Sequence, residues 1–135
     1  MSVNVFLDTN ILVYAYSDTE LQKQTVARKL VSENTSFIST QVLQEFTNIL
    51  SRKFKKTWPE ITKAIQEVSQ NNQVYTNNET TIRQAIKIAE DYKFSFYDSL
   101  IIAAALECNC SKLCSEDMNH GQLINQKLTI TKPFS

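Results

Sequence analysis

At 135 residues the chain fits one domain, residues 1–135, whose single core can bury about two-thirds of the surface of the unfolded chain. Apolar residues at 42% and charged residues at 21% exclude a disordered chain, and the longest apolar run, residues 100–106, falls far short of the ~20 needed to span a bilayer. Fourteen basic residues balance fourteen acidic ones, so any contact with nucleic acid must rely on segregated charge or on metal ions rather than on a broadly basic surface.

Residues 3–7 are a β-branched and aromatic run broken by Asn4, and read as a strand. Asp8, Thr9 and Asn10 stop it, with Thr9 or Asn10 as the cap of a short helix through Tyr16. Residues 19–33 follow as an amphipathic helix that turns Leu21, Val26, Leu30 and Val31 inward. Residues 37–39 form a brief strand. Thr40 caps a helix to about Lys56, with Leu43, Phe46, Ile49 or Leu50, and Phe54 on its apolar face. The basic residues Arg52, Lys53, Lys55 and Lys56 suit the negative end of that helix dipole.

Thr57 and Pro59 open the next helix, through about Ser69. Residues 73–76 read as a strand, and Asn77 or Asn78 caps a helix to Tyr92 carrying Ile82, Ala85, Ile86 and Ala89. Residues 98–108 are apolar on all sides, which places that helix in the interior. Residues 112–115 and 128–131 are the last strands. Strands alternating with helices predict an α/β fold, a mostly parallel sheet covered on both faces. Functional groups in such sheets collect beyond the carboxyl ends of the strands.

Asp8 follows the first strand, and Asp117 lies two residues beyond the strand ending near Ser115. Glu45 sits in the second turn of a helix that follows a strand, and Asp98 begins the interior helix. Singly, each has an ordinary role as a cap, a turn residue or a solvated side chain. Together they fall at one edge of one sheet. Two carboxylates ~5 Å apart repel by about 3 kcal/mol at an effective dielectric of 20, so the cluster needs a cation. An all-oxygen donor set selects Mg²⁺ or Mn²⁺, with Thr9, Asn10 and Ser115 as supporting polar groups. Residues and spacing alone thus point to a metal-dependent phosphate enzyme. Cys108, Cys110 and Cys114 are three of the four ligands a structural zinc needs, and His120 would have to complete them; they read instead as small buried hydrophobes. Phe37, Phe94, Phe96 and Tyr97 read as core rather than as base-stacking surfaces.

The acids lie within four segments that resemble the motifs of the PIN-domain family. Val5-Phe6-Leu7-Asp8-Thr9-Asn10 is similar to its first motif, and Ser39-Thr40-Gln41-Val42-Leu43-Gln44-Glu45-Phe46 to its second. Phe96-Tyr97-Asp98-Ser99-Leu100 resembles the third, and Leu113-Cys114-Ser115-Glu116-Asp117-Met118 the fourth. The order matches, and the resemblance runs from Val5 to Phe134. It implies a three-layer α/β/α sandwich and a divalent-metal ribonuclease with Asp8, Glu45, Asp98 and Asp117 as the acidic site. Glu116, adjacent to Asp117, shares that last claim. Small chains of this family are mostly VapC-type toxins, which implies a homodimer, an RNA substrate and an antitoxin partner. Arg52 and Lys53 are candidates for guiding the phosphate backbone. Residues 1–7 lack the pattern of a secretory leader, so the expected compartment is the cytoplasm, with no membrane contact.

Two other readings remain. A haloacid-dehalogenase-like phosphatase also begins with a strand ending in Asp, but it resembles a D-x-D start where this chain has Asn10, and it needs a lysine that residues 94–111 lack. A PIN-like module that binds RNA or protein with weak catalysis fits the neutral charge, whereas the presence of all four acids opposes it.

Overall fold

The computed structural model describes residues 3–134. Twelve elements follow in chain order: β1 Asn4–Leu7, α1 Thr9–Tyr16, α2 Leu21–Glu33, β2 Thr35–Ser39, α3 Thr40–Arg52, α4 Trp58–Asn71, β3 Gln73–Tyr75, α5 Glu79–Tyr92, α6 Phe96–Glu107, β4 Lys112–Cys114, β5 Leu123–Ile124 and β6 Leu128–Thr131. The six strands form one sheet in the order β3-β2-β1-β4-β6-β5, parallel except where β5 runs against β6. The fold is the predicted α/β/α sandwich. Crossovers carry the chain outward from β1 to β3 through α1–α4, then back past β1 to β4 through α5 and α6. That reversal sets the two helix groups on opposite faces. It also makes the gap between β1 and β4 the switch point of the sheet, where ligands bind in folds of this kind.

The core is built where apolar β-branched strands meet helix stripes. Val5, Phe6, Leu7, Ile38, Leu113 and Ile130 fill the sheet, and Ile11, Val42, Phe46 and Leu50 cover one side of it. All seven residues 99–105 of α6 are buried, as its all-round apolarity requires. Thr57 and Glu60 form a capping box at the start of α4, with Pro59 in its first turn.

Several expectations are corrected. Strand β5 has no counterpart in the sequence reading, because it is two residues long and its turn into β6 uses Asn125 and Gln126 at positive φ, without the glycine that marks such turns. Helix α3 stops at Arg52 instead of Lys56, since Lys55 adopts a left-handed φ of 55° and the Lys56 amide donates back to the Leu50 carbonyl. Caps lie one residue earlier than expected at two places: Asp8 caps α1 and Ser39 caps α3. Helix α5 buries Thr81, Ala85 and Ile88, so it is rotated by one residue from the expected face and leaves Ile82 and Ile86 in solvent. Leu21 is exposed, and α2 approaches the core through Ala27. Phe96 and Tyr97, expected in the core, are exposed, whereas Phe37 and Phe94 pack against it.

Candidate functional site

The site is assembled at the switch point. Leu7 at the end of β1 pairs with Cys114 at the end of β4, so Asp8 and Ser115 emerge side by side. The Asp8 amide continues the ladder onto the Cys114 carbonyl at 3.0 Å, which fixes where the carboxylate begins. Both of its oxygens are then held: Oδ1 accepts from the Thr9 amide at 2.7 Å, and Oδ2 accepts from the Ser115 hydroxyl at 2.8 Å. Ser115 is fully buried. Each oxygen keeps a further lone pair, available to a cation.

Because Asp8 supplies the cap itself, Thr9 and Asn10 are free for other work. The Thr9 hydroxyl donates to Oε1 of Glu45, bringing α3 against the start of α1. The Asn10 side-chain amide donates to Oδ2 of Asp117 at 2.7 Å. Asn10 is therefore a donor that orients an acid, not a second acid of the kind a D-x-D phosphatase would carry. Asp98 stands in the first turn of α6, whose cap is Ser95, and its amide donates to the Ser95 hydroxyl at 3.2 Å.

Gln41 was missed by the sequence reading. It is buried, and its Nε2 donates both to Oε2 of Glu45 at 3.3 Å and to the Tyr97 carbonyl at 3.2 Å. One side chain thus ties the helix of Glu45 to the turn that carries Asp98. Its Oε1 is buried without a partner among the described residues. The i, i+4 spacing of Gln41 and Glu45 is the signal that points to it.

The acids sense one another. Burial raises the Asp8 carboxyl to about 6, the Ser115 and Thr9 hydrogen bonds offset part of that rise, and the nearby charges of Asp98 and Glu45 add to it. Asp98 is also raised, first by desolvation and then by Glu45 and Asp117. Among the described residues no lysine, arginine or histidine forms an ion pair with any of these four acids. Among the same residues, no three acidic, histidine or cysteine side chains already enclose an ion-sized space. The carboxylates share a field and a sheet edge, and a cation would have to draw them closer. Their donor chemistry fits Mg²⁺ or Mn²⁺: oxygen ligands, unneutralised, two of them raised above the ordinary carboxylate range.

Glu116 points elsewhere. Its Oε1 accepts from the Tyr14 hydroxyl at 2.6 Å, and its Oε2 pairs with Lys23 Nζ at 2.7 Å. Lys23 also stands 4.6 Å from the centre of the Tyr14 ring. These partners hold the Glu116 carboxyl below its usual range. Glu116 is thus engaged by Tyr14 and Lys23, whereas Asp117 is engaged by Asn10.

Arg52 and Lys53 lie exposed at the end of α3, outside the acid cluster. The three cysteines are free, and burial pushes their thiols up to about 11, about 12 and about 11 for Cys108, Cys110 and Cys114. His120 is occupied separately, its Nδ1 accepting from the Lys132 amide at 2.9 Å.

The sequence pattern of the PIN domain matches residues 5–123. No curated protein matches in sequence. Among solved structures, the chain is similar to a toxin–antitoxin complex from Klebsiella pneumoniae at 15% identity and a TM-score of 0.72, covering 96% of this chain and 98% of that one. It is similar to VapC20 of Mycobacterium tuberculosis, described as a sarcin–ricin loop cleaving toxin, at 17% identity, a TM-score of 0.66, and coverage of 81% and 86%. FitAcB from Neisseria gonorrhoeae has a TM-score of 0.64 at 11% identity, with coverage of 96% and 97%. At these identities the likeness is one of fold.

Proposed function

The chain belongs to the PIN domain family, and from that premise we propose that it is a divalent-metal-dependent endoribonuclease, the toxin of a type II toxin–antitoxin pair. One observation carries the reading: Asp8, Glu45, Asp98 and Asp117 share the switch point of the sheet with no cation paired to them among the described residues. A bound Mg²⁺ or Mn²⁺ supplies positive charge that polarises a phosphodiester and makes water easier to deprotonate.

The protein's own groups do the rest. Asp8 and Asp98 are the principal holders of the ion, with Asp117 a direct or water-mediated contact. Ser115 and the Thr9 amide fix the Asp8 carboxylate so that it need not reorganise on binding. Asn10 turns Asp117 toward the same space. Glu45, oriented through Oε1 by Thr9 and through Oε2 by Gln41, is a further ligand or the acceptor of a proton from the attacking water. Arg52 and Lys53 guide the phosphate backbone.

An antitoxin partner agrees with the toxin–antitoxin complexes among the proteins of like fold. The same reading takes the chain as one PIN-like domain, a homodimer and a cytoplasmic protein; no helix among the described residues is long and apolar enough to cross a membrane. Incubation of purified protein with RNA and Mn²⁺ or Mg²⁺ tests the activity. Cleavage should depend on the ion and fall at least about a hundredfold in Asp8→Asn; undiminished cleavage by that variant would refute the assignment.

A further inference from the structure

The one tryptophan of the chain lies where a core residue would not. Trp58, in the first turn of α4, is 66% exposed. It borders a groove of about 410 Å³ between α3 and α4, within the size range of pockets that take small organic groups. Leu43 and Ile65 supply apolar floor, while Gln44, Asn48 and Ser51 line it from α3. None of those three makes a side-chain hydrogen bond to another described residue, so their donors and acceptors are free.

Two further features say what the groove fits. The stretch between Glu45 and Glu60 contains Arg52, Lys53, Lys55 and Lys56 and no acid. These four cations are exposed and form no ion pair among the described residues. In a chain of zero net charge they are a segregated positive run on the stretch that joins Ser51 to Trp58, two residues that line the groove, and such a run is complementary to phosphodiesters. The groove and Glu45 share helix α3. Gln44 neighbours Glu45 on α3, and Asn48 and Ser51 lie about 5 and 9 Å further along the helix axis.

We infer that this groove is a subsite for an unpaired base of a single-stranded RNA, with Trp58 as its stacking face. An indole offers a flat platform that any base can cover. Gln44 and Asn48 present amides of the type that pair with base edges, and the four cations hold the flanking phosphates. The inference rests on the ribonuclease reading, which places RNA at Glu45, but its test does not need cleavage.

Because Trp58 is the one tryptophan, its fluorescence reports on this groove alone. The 135-residue chain, in chelator so that no cutting occurs, is titrated with a short single-stranded RNA and with an abasic oligonucleotide of equal length. The base-containing strand should quench the emission and the abasic one should not. Trp58→Ala should weaken binding of the first roughly 5- to 100-fold, and Trp58→Phe should recover part of that loss, which also shows that the site folds. Equal quenching by both strands, no quenching, or an unchanged affinity in Trp58→Ala would overturn the subsite. So would a change of oligomeric state in Trp58→Ala without any response to RNA, because the groove would then be a protein contact. Cleavage by the wild-type protein in Mn²⁺ is scored separately: its failure refutes the ribonuclease, and loss of quenching with cleavage intact refutes only the subsite.

Discussion

Glu116 and Asp117 are consecutive acids on one loop, and the fold treats them in opposite ways. Glu116 turns toward α1 and α2, where Lys23 and Tyr14 satisfy both its oxygens and hold its carboxyl low. Asp117 turns toward the first turn of α1, where Asn10 orients it and the groups around it include Asp98. The first arrangement is a finished structural contact, with a cation–π contribution from Lys23 over Tyr14. The second leaves like charges facing one another. The proposed cation would supply to the second cluster the charge that Lys23 supplies to Glu116.

The contrast should appear first in the pH dependence of stability without metal. Asp8 titrates at about 6 in the folded protein and at its ordinary 3.8 when unfolded. The folded state therefore binds the proton more tightly. The resulting stability is fully present below pH ~4 and is lost as pH rises through about 6, a change of about 3 kcal/mol at most. Glu116, held low, works in the other direction, its contribution being lost as pH falls. Urea unfolding in chelator between pH 4 and 7 should show the wild type weakening with pH, and Asp8→Asn weakening less steeply, with the share due to Asp98 remaining. A wild-type profile as level as that of the variant would break the comparison.

Next in size is Ser115→Ala. It strands a buried Asp8 oxygen, costing about 1–2 kcal/mol of stability, and weakens divalent-ion binding about tenfold by freeing the carboxylate. Thermal unfolding and ion titration together read both effects. Smallest is Glu116→Gln, which gives up its ion pair with Lys23. The melting temperature should fall by about 2–4 °C, with ion affinity unchanged within about twofold. A large loss of ion binding there would return Glu116 to the acidic site.

Much of this was legible in the sequence, for reasons that can be named. Strands β1 and β4 end on the apolar pairs Phe6-Leu7 and Leu113-Cys114, each followed at once by a polar residue, so the placement of Asp8 and Ser115 at strand ends could be read directly. Helix α6 announced itself by having no polar side. What stayed hidden depends on partners distant in the chain. Lys23 and Glu116 are 93 positions apart, and nothing local separates Glu116 from Asp117. The roles of Thr9 and Asn10 depended on Asp8 taking the cap, a difference of one residue that propensity does not resolve. The buried face of α5 was misread by the same margin, because Ile82 and Ile86 flank Thr81 and Ala85 on the helix surface and are the more apolar pair.

Calorimetric titration of Mn²⁺ into the wild type, Asp8→Asn and Glu116→Gln tests the central claim most directly. The account predicts saturable binding in the wild type and in Glu116→Gln, and a loss of at least about tenfold in affinity in Asp8→Asn. Binding that is equal in all three, or lost in Glu116→Gln and kept in Asp8→Asn, would contradict it.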